Sequence, residues 1–351
     1  MNIVLLKPRS RQLGGLEKYT ARIAKAFIGK GAQVTFLTAP PSRWPAFIQM
    51  EQFDRFIAQS VKEIRPDLVF GMERSRHQTH IRAGNGVHAA YLASRIHTEG
   101  LFKVLLCKVN PLHRKILELE KAAFESPSLQ KLFTNSHMVR HQILERYQTD
   151  PAKIQVIHNG VEWDEMEADF AQWEEKRLSK NRFHFLFIGN GYLRKGLDRL
   201  LMGLAQLRNR DFQLSVVGKE KKIDAYKAKV FQLGLQNQVH FYGPVPNIRL
   251  FYQQADALVI PSFYDPFANV TVEALAMGLY VVSSKFNGGH EILTPTNGTI
   301  IDDLLDSHSM VAALETALKH PKTRQNSHLI RESVKHLDFS QQLRTLVDSC
   351  G

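Results

Sequence analysis

Three stretches of the sequence combine charged groups with glycine or proline in patterns that suit an anionic, sugar-like ligand. The strongest is Pro261-Ser-Phe-Tyr-Asp265-Pro-Phe-Ala-Asn269-Val-Thr271-Val-Glu273-Ala-Leu-Ala-Met-Gly278, with two carboxylates eight residues apart. Pro266 biases Asp265 away from the helical region, which predicts a loop at Asp265 and places Glu273 on the first turns of the helix that follows. Asn269 or Thr271 is expected to cap that helix, and the N–H groups of Asn269, Val270 and Thr271 to receive phosphate. Glu273 suits a ribose diol, because one carboxylate can accept from two hydroxyls.

The second stretch, Gly189-Asn-Gly191-Tyr-Leu-Arg194-Lys195-Gly196, places adjacent cations after a predicted strand. Arg194 offers a planar fork to phosphate oxygens and Lys195 a compact point charge, which together would clamp a diphosphate. The third, Lys7-Pro-Arg-Ser-Arg-Gln-Leu-Gly14-Gly15-Leu-Glu17, lies at the corresponding place near the N-terminus. Gly14 and Gly15 would let the backbone approach a ligand at a helix start. It is not G-x-G-x-x-G, so a dinucleotide fingerprint is absent.

Such loops need strands to end on and helices to begin. Apolar runs predict strands at Ile3–Leu6, Val34–Thr38, Leu68–Gly71 and Leu132–Asn135, then at His184–Ile188, Gln213–Val217, His240–Tyr242, Ala257–Ile260 and Tyr280–Ser283. Helical spacing marks Glu17–Ile28, Phe53–Ile64, Leu197–Leu207, Tyr226–Leu233 and Val272–Met277 between them. Alternating strands and helices imply parallel α/β sheets. The pattern restarts near His184, after the polar stretch Asp164–Asn181. This predicts two Rossmann-like domains, 1–162 and 163–327, with a linker near Gly160–Glu167 and ligand between them at the strand carboxyl ends. A helix from about 328 to 351 is expected to pack back on the first domain.

The charge is lopsided. Of 46 Lys+Arg and 34 Asp+Glu in 351 residues, residues 1–160 hold 24 and 12, and the remainder 22 and 22. The first half therefore carries the whole +12 and implies an anionic partner there. Residues 100–124, GLFKVLLCKVNPLHRKILELEKAAF, interleave apolar side chains with Lys103, Lys108, Arg114, Lys115 and Lys121. Pro111 should break them into two helices. Such a segment can lie on an anionic leaflet or pack on its own domain. Arg74, Arg76, His77, His80 and Arg82 form a further cationic cluster. Two cysteines, Cys107 and Cys350, make no disulfide framework. With no signal-peptide pattern and no apolar run near 18 residues, a cytoplasmic protein is expected. No group of residues has metal-ligand spacing, so neither a metal nor another cofactor is expected.

Taken together, the strand–loop–helix with Asp265 and Glu273 resembles the E-x7-E motif of the retaining, family-four nucleotide-sugar glycosyltransferases of GT-B fold. Asn135-Ser136, Val156-Ile-His-Asn-Gly160, Gly243-Pro-Val, Pro261-Ser262 and Gly288-Gly289-His-Glu291 extend the likeness from Leu13 to about Ile292. Gly14-Gly15-Leu16, Arg194-Lys195-Gly196 and the basic first half are most similar to bacterial lipopolysaccharide core glucosyltransferases acting on heptose. The resemblance implies two Rossmann-like domains facing a central cleft, and transfer of a hexose, glucose being expected, from a UDP-sugar to a lipopolysaccharide-core or other anionic glycolipid acceptor. It implies peripheral attachment to the inner face of the cytoplasmic membrane. By it Glu273 would hold the ribose, Arg194 and Lys195 the departing diphosphate, Gly15 and the 269–271 N–H groups phosphate or sugar, and Asp265 the donor-sugar hydroxyls. Asp265 stands where the family has Glu, one methylene shorter. His88, in Gly84-Asn-Gly-Val-His88, falls where such enzymes place an acceptor-side residue, although a lone histidine there can equally be packed or solvated. Two rivals stand beside this reading: a nucleotide-sugar 2-epimerase of similar architecture, and a basic nucleic-acid-binding protein, for which no recognition motif is present.

Overall fold

The computed structural model describes residues 1–7, 15–39, 41–177 and 182–351. They form two compact units, Met1–His158 together with Gln341–Gly351, and Asn159–Ser340. Among the described residues no helix is long and apolar enough to cross a membrane.

The first unit holds strands β1 (Asn2–Lys7), β2 (Gln33–Thr38), β3 (Leu68–Gly71), β4 (His80–Arg82), β5 (Lys131–Thr134) and β6 (Ile154–Val156). They pair in the order β2-β1-β3-β4-β5-β6, every neighbouring pair parallel. A parallel strand is buried on both faces and reads as a continuous apolar run. Strand β1 shows why. Its alternate side chains Ile3 and Leu5 pack with Ile23, Ala24 and Phe27, whereas Val4 and Leu6 pack on the opposite face with Leu37, Ile57 and Val69. Leu346 and Val347, from the helix Phe339–Asp348, join the cluster of Ile3 and Leu5. The terminal segment is thus divided: the helix Arg324–Glu332 stays with the second unit, and the last eleven residues complete the first. Strands β4 and β6, three residues each, escape a periodicity reading because so short a run has no period to detect.

The second unit holds β7 (Phe183–Ile188), β8 (Phe212–Val217), β9 (Val239–Gly243), β10 (Ala257–Ile260), β11 (Tyr280–Ser284) and β12 (Gly298–Ile301). Their order is β12-β11-β10-β7-β8-β9, again parallel throughout. The chain starts mid-sheet at β7, winds one way through β8 and β9, then returns to β10 on the other side of β7. That reversal opens a crevice beyond the carboxyl ends of β7 and β10, where ligands of open α/β sheets bind.

The polar stretch after Gly160 proves to be part of this unit and not a free linker. Trp163, Met166, Phe170 and Trp173 are buried in its core. Asp256, fully buried just before β10, accepts hydrogen bonds from both ends of that packing: at both oxygens from Nη2 of Arg177 (2.8 and 2.9 Å), from the His184 N–H (2.8 Å) and from the Lys322 N–H (2.8 Å). Arg331, 2% exposed, lies over the rings of Trp163 (3.9 Å) and Phe170 (4.8 Å). It donates to the carbonyls of Trp163 (3.1 Å) and Ala276 and to Glu167 (2.7 Å). Its cation thereby meets the last turn of the helix Asn269–Ala276, where carbonyls lack intrahelical partners. Truncation by Arg331→Ala removes the guanidinium from the Ala276 and Trp163 carbonyls and from the two rings it covers. It should cost about 3 kcal/mol and lower Tm by roughly 6–12 °C for a unit of this size, read by thermal denaturation.

Candidate functional site

The loops after β7 and β10 meet in the crevice. Gly191 and Gly196 both have left-handed backbone (φ 73° and 76°), and they bracket the single helical turn Tyr192–Lys195. A Cβ on Gly196 would lie 1.8 Å from the Pro261 carbonyl oxygen, so only glycine lets the two backbones touch. The contact is zipped by hydrogen bonds. The Phe263 N–H donates to the Arg194 carbonyl (2.9 Å), and the Arg194 guanidinium donates to the Tyr264 carbonyl (2.9 Å). The Lys195 ammonium donates to the Asp265 carboxylate, and the Arg194 guanidinium stands 3.9 Å from the same oxygen. Asp265 is itself locked, its N–H donating to the Phe286 carbonyl (2.9 Å) and its carbonyl accepting from the Gly288 N–H (2.9 Å). The structure therefore brings together Arg194, Lys195 and Asp265, with two cations converging on one acid.

The helix Asn269–Ala276 begins beside them. Its cap differs from the sequence expectation: Ala268 occupies the cap position and no side chain caps the helix. Asn269 and Thr271 lie inside the first turn. The Asn269 carboxamide oxygen accepts from Asn159 (2.7 Å), and the Thr271 hydroxyl accepts from the Asn287 amide (3.2 Å). No side chain takes the leading N–H groups, so this N-terminus keeps its partial positive charge, but the Thr271 N–H expected to receive phosphate already donates to the Ala268 carbonyl (2.9 Å). Asn287, wholly buried and not singled out by the sequence, organises the turn. Its oxygen accepts from the N–H groups of Ala268 (2.9 Å) and Gly289 (3.1 Å), and its nitrogen donates to Thr271 and Ser283 (3.0 Å). All four hydrogen-bonding positions of one amide are used.

Glu273, half-buried on the same helix, accepts from the Tyr252 hydroxyl at 2.7 Å. Burial pushes its carboxyl above the usual range, against the Tyr252 hydrogen bond and the Arg249 charge, which both pull it down. Val270 is half-buried between Asn269 and Thr271. Gly15 opens the helix Gly15–Gly29, while Gly14 lies outside the described residues.

In the first unit, the carboxyl ends of β3 and β4 gather Glu73, Arg74, Asn85 and His88. Asn85 donates to Glu73 (3.1 Å), whose carboxyl burial also raises, against the pull of Arg74 and Asn85. His88 begins the helix His88–Ser94. From the helix Pro111–Phe124, fully buried Glu120 accepts from the N–H groups of His88 (2.7 Å) and Ala89 (3.2 Å), the Arg74 guanidinium (2.7 Å) and the Tyr147 hydroxyl (2.6 Å). The His88 ring meets His113 of that helix, Nε2 to Nδ1 at 3.0 Å. Burial foremost, then the Arg74 charge, pushes the His88 imidazole down to about 4, so it is neutral at physiological pH.

In the cationic cluster around residues 74–82, the two arginines Arg74 and Arg76 are paired with carboxylates. Arg74 pairs with Glu120, and Arg76 with Asp54, Glu51 (3.3 Å) and Glu118. His80 is buried and held near 4 by burial and Lys131, and Arg82 stacks over Tyr19 (4.7 Å). Sequence proximity shows the cations but not the carboxylates that helices from elsewhere bring to them.

The site's charge distribution makes a pH prediction. With a ribose diol donating to an ionised Glu273, as the resemblance implies, nucleotide affinity would fall on acidification through a carboxyl pKa raised above 4.5. Glu273→Gln should abolish that limb, which calorimetric titrations of nucleotide between pH 4.5 and 8 would read.

Comparison with known proteins matches this geometry. Residues 169–330 match the family model of glycosyl transferases group 1, and residues 13–165 that of glycosyltransferase family 4. The lipopolysaccharide glucosyltransferase WaaG of Escherichia coli is 25% identical over 259 residues, 71% of this chain and 68% of that protein. An uncharacterized glycosyltransferase of Methanocaldococcus jannaschii is 30% identical over 173 residues, 46% of this chain; that alignment spans less than half, 44%, of the archaeal protein. The crystal structure of WaaG superposes with a TM-score of 0.77 at 20% identity, covering 99% of both chains. With both of its halves matched by glycosyltransferase models and both of its sheets by the WaaG fold, the chain belongs to the glycosyltransferases of group 1 and family 4 type, of GT-B fold.

Proposed function

We propose that the chain is a retaining hexosyltransferase that moves glucose from UDP-glucose to a lipopolysaccharide-core or other anionic glycolipid acceptor. The observation that carries the donor half is the convergence of Arg194 and Lys195 on Asp265 across the β7 and β10 loops, beside the uncapped start of the helix that carries Glu273. Breaking a sugar–diphosphate bond leaves charge on the departing phosphate and an electron-poor sugar. Lys195 and Arg194 neutralise the former as it develops, and the helix N-terminus supplies fixed dipoles. In the absence of donor Asp265 holds Lys195 in place, and Glu273 anchors the ribose so that the diphosphate reaches the two cations. Related chains lend support: WaaG is named a lipopolysaccharide glucosyltransferase, and an Anabaena structure of similar fold was solved with UDP-glucose.

The acceptor half rests on the first unit. In the helix Leu101–Val109 the side chains of Leu101 (66%), Leu105 (55%), Leu106 (50%) and Val109 (68%) are solvent-exposed, beside exposed Lys103 and Arg114. Asn110 caps the helix that follows, and Pro111 takes its first position, where no N–H is needed. An apolar helix face rimmed by cations matches the boundary of an anionic leaflet, each cation contributing about 1 kcal/mol near the surface. This reading places the enzyme at the inner face of the cytoplasmic membrane, within reach of a lipid-linked acceptor.

Two experiments test these halves. Glu273→Ala should abolish turnover of UDP-glucose, and Lys195→Ala should lower it about 10²–10³-fold, in an assay of UDP release with and without acceptor. Unchanged turnover in Glu273→Ala would remove the donor assignment, and a product formed equally without acceptor would favour an epimerase. On the acceptor side, co-sedimentation with anionic vesicles should exceed that with neutral ones, weaken with salt, and drop when Leu105 and Leu106 are replaced by Ser.

A further inference from the structure

Helix Pro111–Phe124 reaches His88 twice, from positions seven residues apart on one face. Glu120 fixes the main chain of His88 through its N–H, and His113 fixes the ring. A histidine–histidine contact at 3.0 Å joins one donor to one acceptor, so the tautomer of one ring dictates that of the other. A neutral imidazole favours the Nε2–H tautomer. Both rings adopt it at once only if His88 Nε2–H donates to His113 Nδ1. The alternative, His113 Nδ1–H donating to His88 Nε2, forces both into the disfavoured form.

From this arrangement we infer that His113 is a positioning residue that fixes His88 as the Nε2–H tautomer, leaving His88 Nδ1 as a hydrogen-bond acceptor for a hydroxyl of the acceptor sugar. The inference deepens, and rests on, the acceptor-side reading of the first unit. Several features agree with it. Nδ1 of His88 takes no hydrogen bond from any described residue, while Nε2 is engaged. The groups around the ring are Arg74 at the end of β3, Tyr91 on its own helix, Arg95 after it, and His113 and Glu120 opposite. Burial foremost, then Arg74 and, more weakly, His113 and Arg95 disfavour an imidazolium against the opposing pull of Glu120, so the lone pair survives at neutral pH. A neutral acceptor aligns a sugar oxygen toward the donor without adding a charge, whereas an imidazolium would offer only donors. His113 touches no substrate in this scheme and acts through the ring it orients.

Two variants separate this role from simple packing. Asn at position 113 places its Oδ1 close to where Nδ1 stands and can still accept from His88 Nε2–H. Phe fills the space but accepts nothing. Imidazole ¹H–¹⁵N correlation spectra of the intact protein should show His88 as a single Nε2–H tautomer in the wild type and in His113→Asn, and a tautomer mixture in His113→Phe. The ratio of sugar transfer to donor hydrolysis should fall about tenfold in His113→Phe, the loss of one well-placed hydrogen bond, and recover in His113→Asn. A protonated Nδ1 on wild-type His88, or an identical tautomer in His113→Phe, overturns the inference. Absence of donor hydrolysis and transfer in the wild type would instead overturn the glycosyltransferase reading, with the tautomer result standing independently.

Discussion

Everything proposed for the donor side hangs from one backbone contact, the touch between Gly196 and the carbonyl of Pro261. The two loops belong to strands that are neighbours in the sheet but separated by some seventy residues of chain, and their contact exists only where the winding reverses. Once the loops are zipped, the Arg194 carbonyl, the Tyr264 carbonyl and the Lys195–Asp265 pair fall into register together. Charge follows from this, since two cations are held against one carboxylate in a half-buried place and a net positive field is left over. The crevice proposed to bind phosphate is thus a by-product of close backbone approach, with the side chains adding charge to it.

Around that contact, buried polar groups are used where several segments must meet. Asp256 gathers donors from the start of β7, from Arg177 and from the segment beyond β12, and Asn287 ties β11 to the helix carrying Glu273. Each is fully satisfied, which removes the penalty of burying it and leaves a strong directional constraint. Glu120 does the same in the first unit. The cations of the basic first half thus have different fates: Arg74 and Arg76 are consumed internally by Glu120, Asp54 and Glu118, whereas Lys103 and Arg114 face outward near the apolar helix 101–109.

Much of this was legible in the residues. The doubly wound class followed from alternating apolar runs, the break at Pro111 from its missing N–H, and the loop at Asp265 ahead of a helix carrying Glu273 from Pro266. What could not be read was contact at a distance. Ala268 has no capping chemistry and no side chain takes over that role; the oxygen of Asn287, nineteen residues later, accepts from the Ala268 N–H itself and so fixes where the helix starts. The partners of Arg74 and Arg76 lie more than twenty residues away, so a local charge count overstated the cationic surface. The aromatic residues hidden in the polar stretch after Gly160 were outweighed by its acids, although burial of Trp163, Phe170 and Trp173 decides where that stretch lies.

The placement of Leu346 and Val347 against Ile3, Ile23 and Phe27 carries a consequence for biosynthesis. The first unit is begun by a segment that precedes the second unit in the chain and is closed by one that follows it. During translation of the intervening 182 residues that form the second unit, one apolar face of the first sheet waits without its covering helix. The second unit, continuous in sequence, can finish folding as soon as it emerges, so the half that is made first is the half that matures last.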